Sequence, residues 1–393
     1  MTTLSTRPLR VLFAVQGEGR GHMTQALALA DRLRARGHTL AGVVVGASTR
    51  RAVPAFFRDA IGAPVTLVAS PTFVSGRDGR IRVGATAWRT AHDLLRIGPH
   101  LDTLDAAFDR ARPDVVVNFY EGLAGLHAAL RPHGIPIVAV AHQFMTGHPA
   151  YPLAPGQPVQ RAGLHAYTRL AGWGASTRLA LSLTPAPDLP DRRVRVVPPL
   201  LRSRLFRLAD RGHDGPLLVY LMEPAFAPAL AAWSDRHPEV AIDCFSDVPP
   251  HAHSPALTFH GLCGDRFLAC MASARGVVST AGFESVAEAM WLGKPALLVP
   301  APNHYEQRGN ARDAVAAGAG VTANTLDLDR LLPLLDAPRP DPAPFRSWVA
   351  QAGRQIVGAV EGVAPPPSPS RSLQRVPLPG SWSPARRSPT YAA

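Results

Sequence analysis

The stretch from Val277 to Val321, VVSTAGFESVAEAMWLGKPALLVPAPNHYEQRGNARDAVAAGAGV, does most to restrict the folds open to this chain. A short apolar run at 276–279 leads into a turn with Ala281 and Gly282, and a helical pattern follows with Glu284 and Glu288 one turn apart on one face. Gly293 and Pro295 stop that helix, a second apolar run covers 296–299, and a polar loop delivers Glu306, Gln307 and Asn310 to the start of another helix. Short runs that are apolar throughout, alternating with helices, predict a parallel sheet covered on both faces. In such sheets ligands bind beyond the carboxyl ends of the strands, which is where these polar residues gather.

The first half of the chain repeats the pattern. A strand is expected at 10–15, a glycine turn GEGRGH at 17–22, a helix MTQALALADRLRARG, a strand at 39–46, a weak helix at 49–60 and a strand at 64–69. A loop at 71–84 and a long helical stretch from Ala85 to Arg110 come next, then strands at 113–119 and 135–144 flanking a helix, a loop at 145–160, and strands at 179–183 and 193–198. A polar connector at 199–214 opens a second α/β unit, and 343–361 reads as one last helix. The remainder is rich in Pro, Ser and Arg and is expected to be disordered.

At 393 residues two domains are the default. The net charge of +12 drops to about +8 without the tail after Ala364, which holds Arg371, Arg375, Arg386 and Arg387 and no acid. That surplus suits an acidic partner such as a nucleotide diphosphate or an anionic lipid surface. Without a basic run interleaved with aromatics, nucleic acid is not expected. The segment TAWRTAHDLLRIGPHL, with Trp88, Leu94, Leu95 and Ile97 beside Arg89 and Arg96, allows a peripheral membrane contact, although an ordinary helix packed on the sheet is the plainer reading. Three cysteines without metal-ligand spacing, a first apolar run too short for a signal peptide and no long apolar span lead to the expectation of a cytoplasmic protein, in places peripheral to the inner membrane face.

Gly17, Gly19 and Gly21 form a loop that presents backbone N–H groups to an anion or sugar. A dinucleotide site would need glycine where His22 stands and an acidic residue after the second strand, where VVVGAS is found, so that reading fails. His22 instead sits at a helix start whose dipole disfavours the charged ring, as suits a neutral general base. Ser279, Thr280, Ala281, Gly282 and Phe283 offer helix N-terminal N–H groups to a diphosphate. Glu288 is placed to accept ribose hydroxyls, and Glu306 and Gln307, beside Asn310, to hold those of a sugar. A solvated helix face is the plain alternative for Glu284 and Glu288.

Together, GEGRGHMTQALALADRL and STAGFESVAEAMWLGKPALLVP…HYEQRGNA resemble the two signature regions of GT-B nucleotide-sugar glycosyltransferases, in the branch of the peptidoglycan GlcNAc-transferase and the UDP-glycosyltransferases. The resemblance implies two doubly wound Rossmann-like domains facing across a cleft: an acceptor-side domain at 1–198, a linker at 199–214, a nucleotide-sugar domain at 215–340, a crossing helix at 341–362 and a disordered tail at 363–393. It assigns His22 to the histidine after the glycine loop, Glu288 to the ribose, Glu306 and Gln307 to the donor sugar, and Gly282 with its neighbours to the diphosphate. Two departures stand out. MEPAF at 222–226 replaces a Gly- or Ser-rich donor loop, and the aspartate that orients the base in UDP-glycosyltransferases is missing, with Asn118 or Glu121 as substitutes. His142 and Gln143 are acceptor-side candidates by position.

Two further absences shape the expected chemistry. The one Asp-x-Asp string, Asp327-Leu328-Asp329, reads as the acidic start of a helix, so no metal is expected; nor is a cofactor, the nucleotide sugar being a substrate. Retaining GT-B enzymes often pair two glutamates eight residues apart, but Leu292 and Ala296 stand at those positions, so inversion at an acceptor hydroxyl is expected. A sugar-nucleotide epimerase of the same fold, or a non-catalytic nucleotide- or partner-binding protein, remains the alternative.

Overall fold

The computed structural model describes residues 7–47, 53–70, 97–208, 212, 214–220, 226–246, 255–261, 263–339 and 341–364. Strand β1 (Arg10–Gln16) is buried on both faces from Val11 to Val15 and so lies centrally under helices on either side. With β2 (Thr39–Ala47), β3 (Val65–Ala69), β4 (Val115–Phe119), β5 (Ile137–Ala141), β6 (Thr177–Leu181) and β7 (Val194–Val197) it forms a parallel sheet in the order β3-β2-β1-β4-β5-β6-β7. The order reverses between β1 and β4, which opens a crevice at their carboxyl ends.

A second parallel sheet contains β8 (Leu217–Tyr220), β9 (Ile242–Phe245), β10 (Leu257–His260), β11 (Val277–Ser279), β12 (Ala296–Leu298) and β13 (Gly320–Thr322), in the order β10-β9-β8-β11-β12-β13. Its reversal falls between β8 and β11. Both signature turns of the sequence thus leave strands that border a switch point: the glycine loop leaves β1, and Ser279–Phe283 leaves β11.

The helices are α1 (Arg20–Ala35), α2 (Ala55–Ile61), α3 (Gly98–Ala111), α4 (Gly122–Leu130), α5 (Pro158–Ala171), α6 (Ala227–Arg236), α7 (Gly264–Ser273), α8 (Phe283–Trp291), α9 (Tyr305–Ala316), α10 (Leu332–Asp336), α11 (Ala343–Val349) and α12 (Ala352–Val363). In the first domain Leu29 and Leu33 of α1 pack on one face of the sheet, and Leu104 and Phe108 of α3 with Leu123 of α4 pack on the other. In the second, Met271, Val286 and Ala311 cover one face, while Trp233, Leu328 and Leu331 cover the other.

Four elements differ from the sequence expectation. The fifth strand ends at Ala141, because His142–Gly147 winds into a 3-10 helix closed by the Thr146 hydroxyl on the Gln143 carbonyl (2.7 Å). Helix α5 occupies a segment to which no element was assigned; it buries only Leu164 and Ala171, so it shows no apolar stripe. The last helix breaks between Val349 and Ala352. Phe345 and Val349 of α11 sit in the second domain's core, while Ala352, Ile356 and Val360 of α12 sit in the first's, and the break lets each half face a different core. Between them Trp348 donates its indole N–H to the Ser182 carbonyl (2.9 Å). The LDLDRLLPLL segment is a 3-10 turn at Leu328–Arg330 followed by the short α10.

The loop 222–225, the segment 71–96 with Trp88, Arg89, Leu94, Leu95 and Arg96, and the tail from 365 lie outside the described residues. Among the described residues no helix is long and apolar enough to cross a membrane.

Candidate active site

The first wall is built by the glycine loop. Gly17 donates its N–H to the Gly46 carbonyl (2.8 Å), and a Cβ at Gly17 would collide with that oxygen, so only glycine lets the loop lie this close to β2. Gly19 is the N-cap of α1, which places His22 in the first helical turn, buried. The ring stacks on Tyr120 (centroids 5.5 Å apart, planes 24° apart), and Nδ1 meets Gln25 Oε1 at 3.4 Å. Among the described residues Nε2 has no partner. Burial lowers the His22 pKa, and the charge of Glu306 acts in the opposite sense.

Tyr120 reaches the ring from a strained turn, with φ of +58°. The Asn118 side chain holds that turn shut: it donates to the carbonyls of Glu121 (3.1 Å) and Ala171 (2.8 Å) and accepts from the Glu121 N–H (2.7 Å). Asn118 therefore serves the backbone and not the histidine. Glu121, expected to orient the base, instead caps α4. Its Oε1 accepts from the Leu123 N–H (2.9 Å) and the Ser70 hydroxyl (2.5 Å). Fully buried, it is pushed up to about 7. The residue that does meet His22 is Gln25, one turn along α1.

The second wall begins at β11. Ser279 and Thr280 are buried, Ala281 turns through a positive φ of 59°, and Gly282 is the N-cap of α8. Asn310 holds this turn by donating to the Ala281 carbonyl (3.3 Å) while accepting from the Tyr151 hydroxyl of the first domain (3.0 Å). Phe283 stacks on His142 (4.0 Å, 18°), so the acceptor-side candidate His142 lies against the donor-side turn. The ring donates Nδ1–H to the Leu181 carbonyl (2.7 Å), and its buried Nε2 lies 3.8 Å from Asp313 Oδ2.

Glu284 and Glu288 share α8 but not a partner. Glu284 packs on the first turn of α1, where a Cβ at Gly21 would lie 3.3 Å from its Cγ, and its Oε1 accepts from Gln25 Nε2 (2.7 Å). Burial pushes its carboxyl up to about 8, against the smaller effect of the Gln25 hydrogen bond. Glu288, expected to face a ribose, is buried and gives both oxygens to Arg202 of the connector (2.6 and 2.7 Å). That fork satisfies one lone pair on each oxygen and fixes the carboxylate's plane.

On α9, Glu306 Oε1 accepts from Gln143 Nε2 of the first domain (2.9 Å). Gln307 turns inward: its Oε1 accepts from the Ala301 N–H (2.7 Å), while its own N–H goes to the capping His304 ring (3.3 Å). The structure thus gathers His22, Gln143, Phe283, Glu306 and Asn310 along the seam between the domains, while the Glu121 and Gln307 side chains are taken by backbone N–H groups and the Glu288 carboxylate is held by Arg202. Gln25, Tyr120, Tyr151 and Arg202 were not singled out from sequence. Only Gln25, three residues after His22 on one helix face, carried a readable signal. Among the described residues no group of three or more His, Cys, Asp or Glu is arranged to hold a metal, and Asp329 accepts from the Trp233 indole (2.8 Å).

Two parallel-sheet domains joined by a helix that crosses back, each with a strand-to-helix turn beside its switch point, define the GT-B fold. The chain belongs to glycosyl transferase family 1, whose model matches residues 9–336. The UDP-N-acetylglucosamine--N-acetylmuramyl-(pentapeptide) pyrophosphoryl-undecaprenol N-acetylglucosamine transferase of Nitrosococcus oceani is 31% identical over 382 residues, covering 91% of this chain and 97% of that protein. The protein of the same name from Nocardioides sp. is 28% identical over 343 residues, covering 81% and 86%. Among solved structures, the glycotransferase of kitacinnamycin superposes with a TM-score of 0.61 at 19% identity, over 91% of this chain and 100% of that one. MurG of Acinetobacter baumannii gives 0.51 at 20% identity, over 90% and 100%.

Proposed function

We propose that this glycosyltransferase moves a sugar from a UDP-linked donor, N-acetylglucosamine being the first to test, to an acceptor hydroxyl with inversion and without a metal. The observation that carries the proposal is the placement of His22: a buried imidazole in the first turn of α1, its Nδ1 engaged and its Nε2 without a partner among the described residues, on the seam that Glu306 also borders. Burial and the helix N-terminus both favour the neutral ring, the form able to take a proton.

The acceptor oxygen attacks the anomeric carbon on the face opposite the diphosphate as its proton passes to His22 Nε2. The bond from the anomeric carbon to the diphosphate oxygen breaks, and the N–H groups around Gly282 and Phe283 receive the charge that develops there. Glu306 and its partner Gln143 border the sugar, and the ribose hydroxyls approach the lone pairs of Glu288 that Arg202 leaves open. The relatives named above act on a pyrophosphoryl-undecaprenol-linked sugar, which makes a lipid-linked hydroxyl the first acceptor class to try. A cytoplasmic protein with this surplus of arginine would meet such an acceptor at an anionic membrane face.

The test is a thermal-shift panel of nucleotide sugars followed by mass spectrometry of candidate acceptors. UDP-N-acetylglucosamine is expected to raise the Tm and to yield an acceptor heavier by one sugar residue, with the anomeric configuration inverted by NMR. His22→Ala is expected to lower kcat by about 100-fold or more with donor binding retained. Full turnover by His22→Ala would remove the base, and an epimerised free nucleotide sugar would replace transfer with epimerisation.

A further inference from the structure

We infer that Gln25 and Glu284 are positioning residues that fix which nitrogen of His22 takes the proton, with the instruction originating in the opposite domain. A side-chain amide next to a histidine can present either its oxygen or its NH2 group, and α1 alone does not choose between them. Glu284 chooses. Its Oε1 is an acceptor, and Gln25 Nε2 donates to it at 2.7 Å across the domain seam. The Gln25 oxygen is thereby turned to His22 Nδ1, 3.4 Å away, and an oxygen can be met there only by an N–H. His22 then carries its proton on Nδ1 and its lone pair on Nε2.

Three packing features hold the relay in place. Gln25 and Glu284 are both buried, so water does not compete for the amide. Gly21 leaves room for Glu284 to lie against α1. The Tyr120 ring stacks on His22 and opposes rotation. Because Glu284 follows Phe283 at the start of α8, the tautomer is set only while the donor-side helix is docked on α1. The remaining Glu284 oxygen is buried without a partner among the described residues and is a ready seat for a proton, which leaves Oε1 accepting in either charge state.

This rests on His22 acting as the base, and the test separates the two. In protein labelled with 15N-histidine, the His22 signal is identified by its loss in His22→Gln. It is expected to show protonated Nδ1 and bare Nε2 in the unsubstituted protein and a mixture of tautomers in Gln25→Leu. Turnover by Gln25→Leu should fall about 10- to 100-fold in kcat, with donor KM within about twofold. The exchange Gln25→Glu with Glu284→Gln rebuilds the relay with donor and acceptor reversed, and should restore both the tautomer and most of kcat. Should Gln25→Leu not fold, the near-isosteric Glu284→Gln replaces it: its amide can donate or accept, so a mixture is expected there too. A bare Nδ1 in the unsubstituted protein, or a pure Nδ1–H signal that survives the single substitutions, overturns the relay. If the tautomers shift as expected while His22→Ala turns over normally, the relay stands and the base assignment falls.

Discussion

The spacing of the two carboxylates of α8 put them on one helix face, where Glu288 was expected to meet a ribose and a solvated face was the plain alternative for both. Their spacing does place them one turn apart, but their partners lie in α1 and in the connector, and nothing in the sequence of α8 announces either partner. Glu284 is a nearly lone buried acid pushed up to about 8, and Glu121 is another at about 7. Both folded values exceed the ordinary carboxylate value, so their contribution to stability is complete below about pH 4.5 and is lost as pH rises through 7 and 8. The Tm is therefore expected to fall between pH 5 and 9, and Glu284→Gln to flatten part of that fall, at about 1.4 kcal/mol per unit of displacement. Glu288 instead gives both oxygens to the Arg202 guanidinium. Arg202→Met leaves that carboxylate buried and alone and is expected to cost about 3–5 kcal/mol in urea denaturation. Glu288→Ala is expected to abolish the Tm shift given by the nucleotide sugar; a shift that survives would place the ribose elsewhere.

At the scale of elements, strands and the turns between them were legible where chemistry forces a residue type. Apolar runs give central parallel strands, and Gly17 of the first loop marks a backbone approach that no side chain tolerates. Helix α5 was illegible for the converse reason, since burying only Leu164 and Ala171 leaves no stripe to read. The start of the 3-10 segment, 142–144, was read as strand because Phe144 extends the run of β5, and the rest of it as loop. The seat of Glu121 was equally hidden. It depends on Gly46, where a Cβ would strike the Glu121 carboxylate. Gly46→Ala is expected to displace that cap and lower stability by about 1–3 kcal/mol, measurable by thermal denaturation, with the loss concentrated around the β4–α4 turn in hydrogen exchange.

Across the whole molecule, the domains are joined by more than the connector. Glu361 at the end of α12 binds Arg36 and His38 of the first domain, with His38 Nε2 3.0 Å from its carboxylate, and the Ile356 side chain is fully enclosed in that domain's core. Ile356→Ala is expected to cost about 2–5 kcal/mol, and to destabilise the N-terminal sheet before the C-terminal one in hydrogen exchange. The crossing also has a consequence for synthesis. The first domain's own sheet is complete by Val197, yet its core still lacks Ala352, Ile356 and Val360. At about 5–20 residues per second, a ribosome takes roughly 8–30 s to supply them after the last strand of that sheet. Throughout that interval the nascent first domain presents an open apolar groove along α1. The two halves, separate in architecture, are thus obliged to finish folding together.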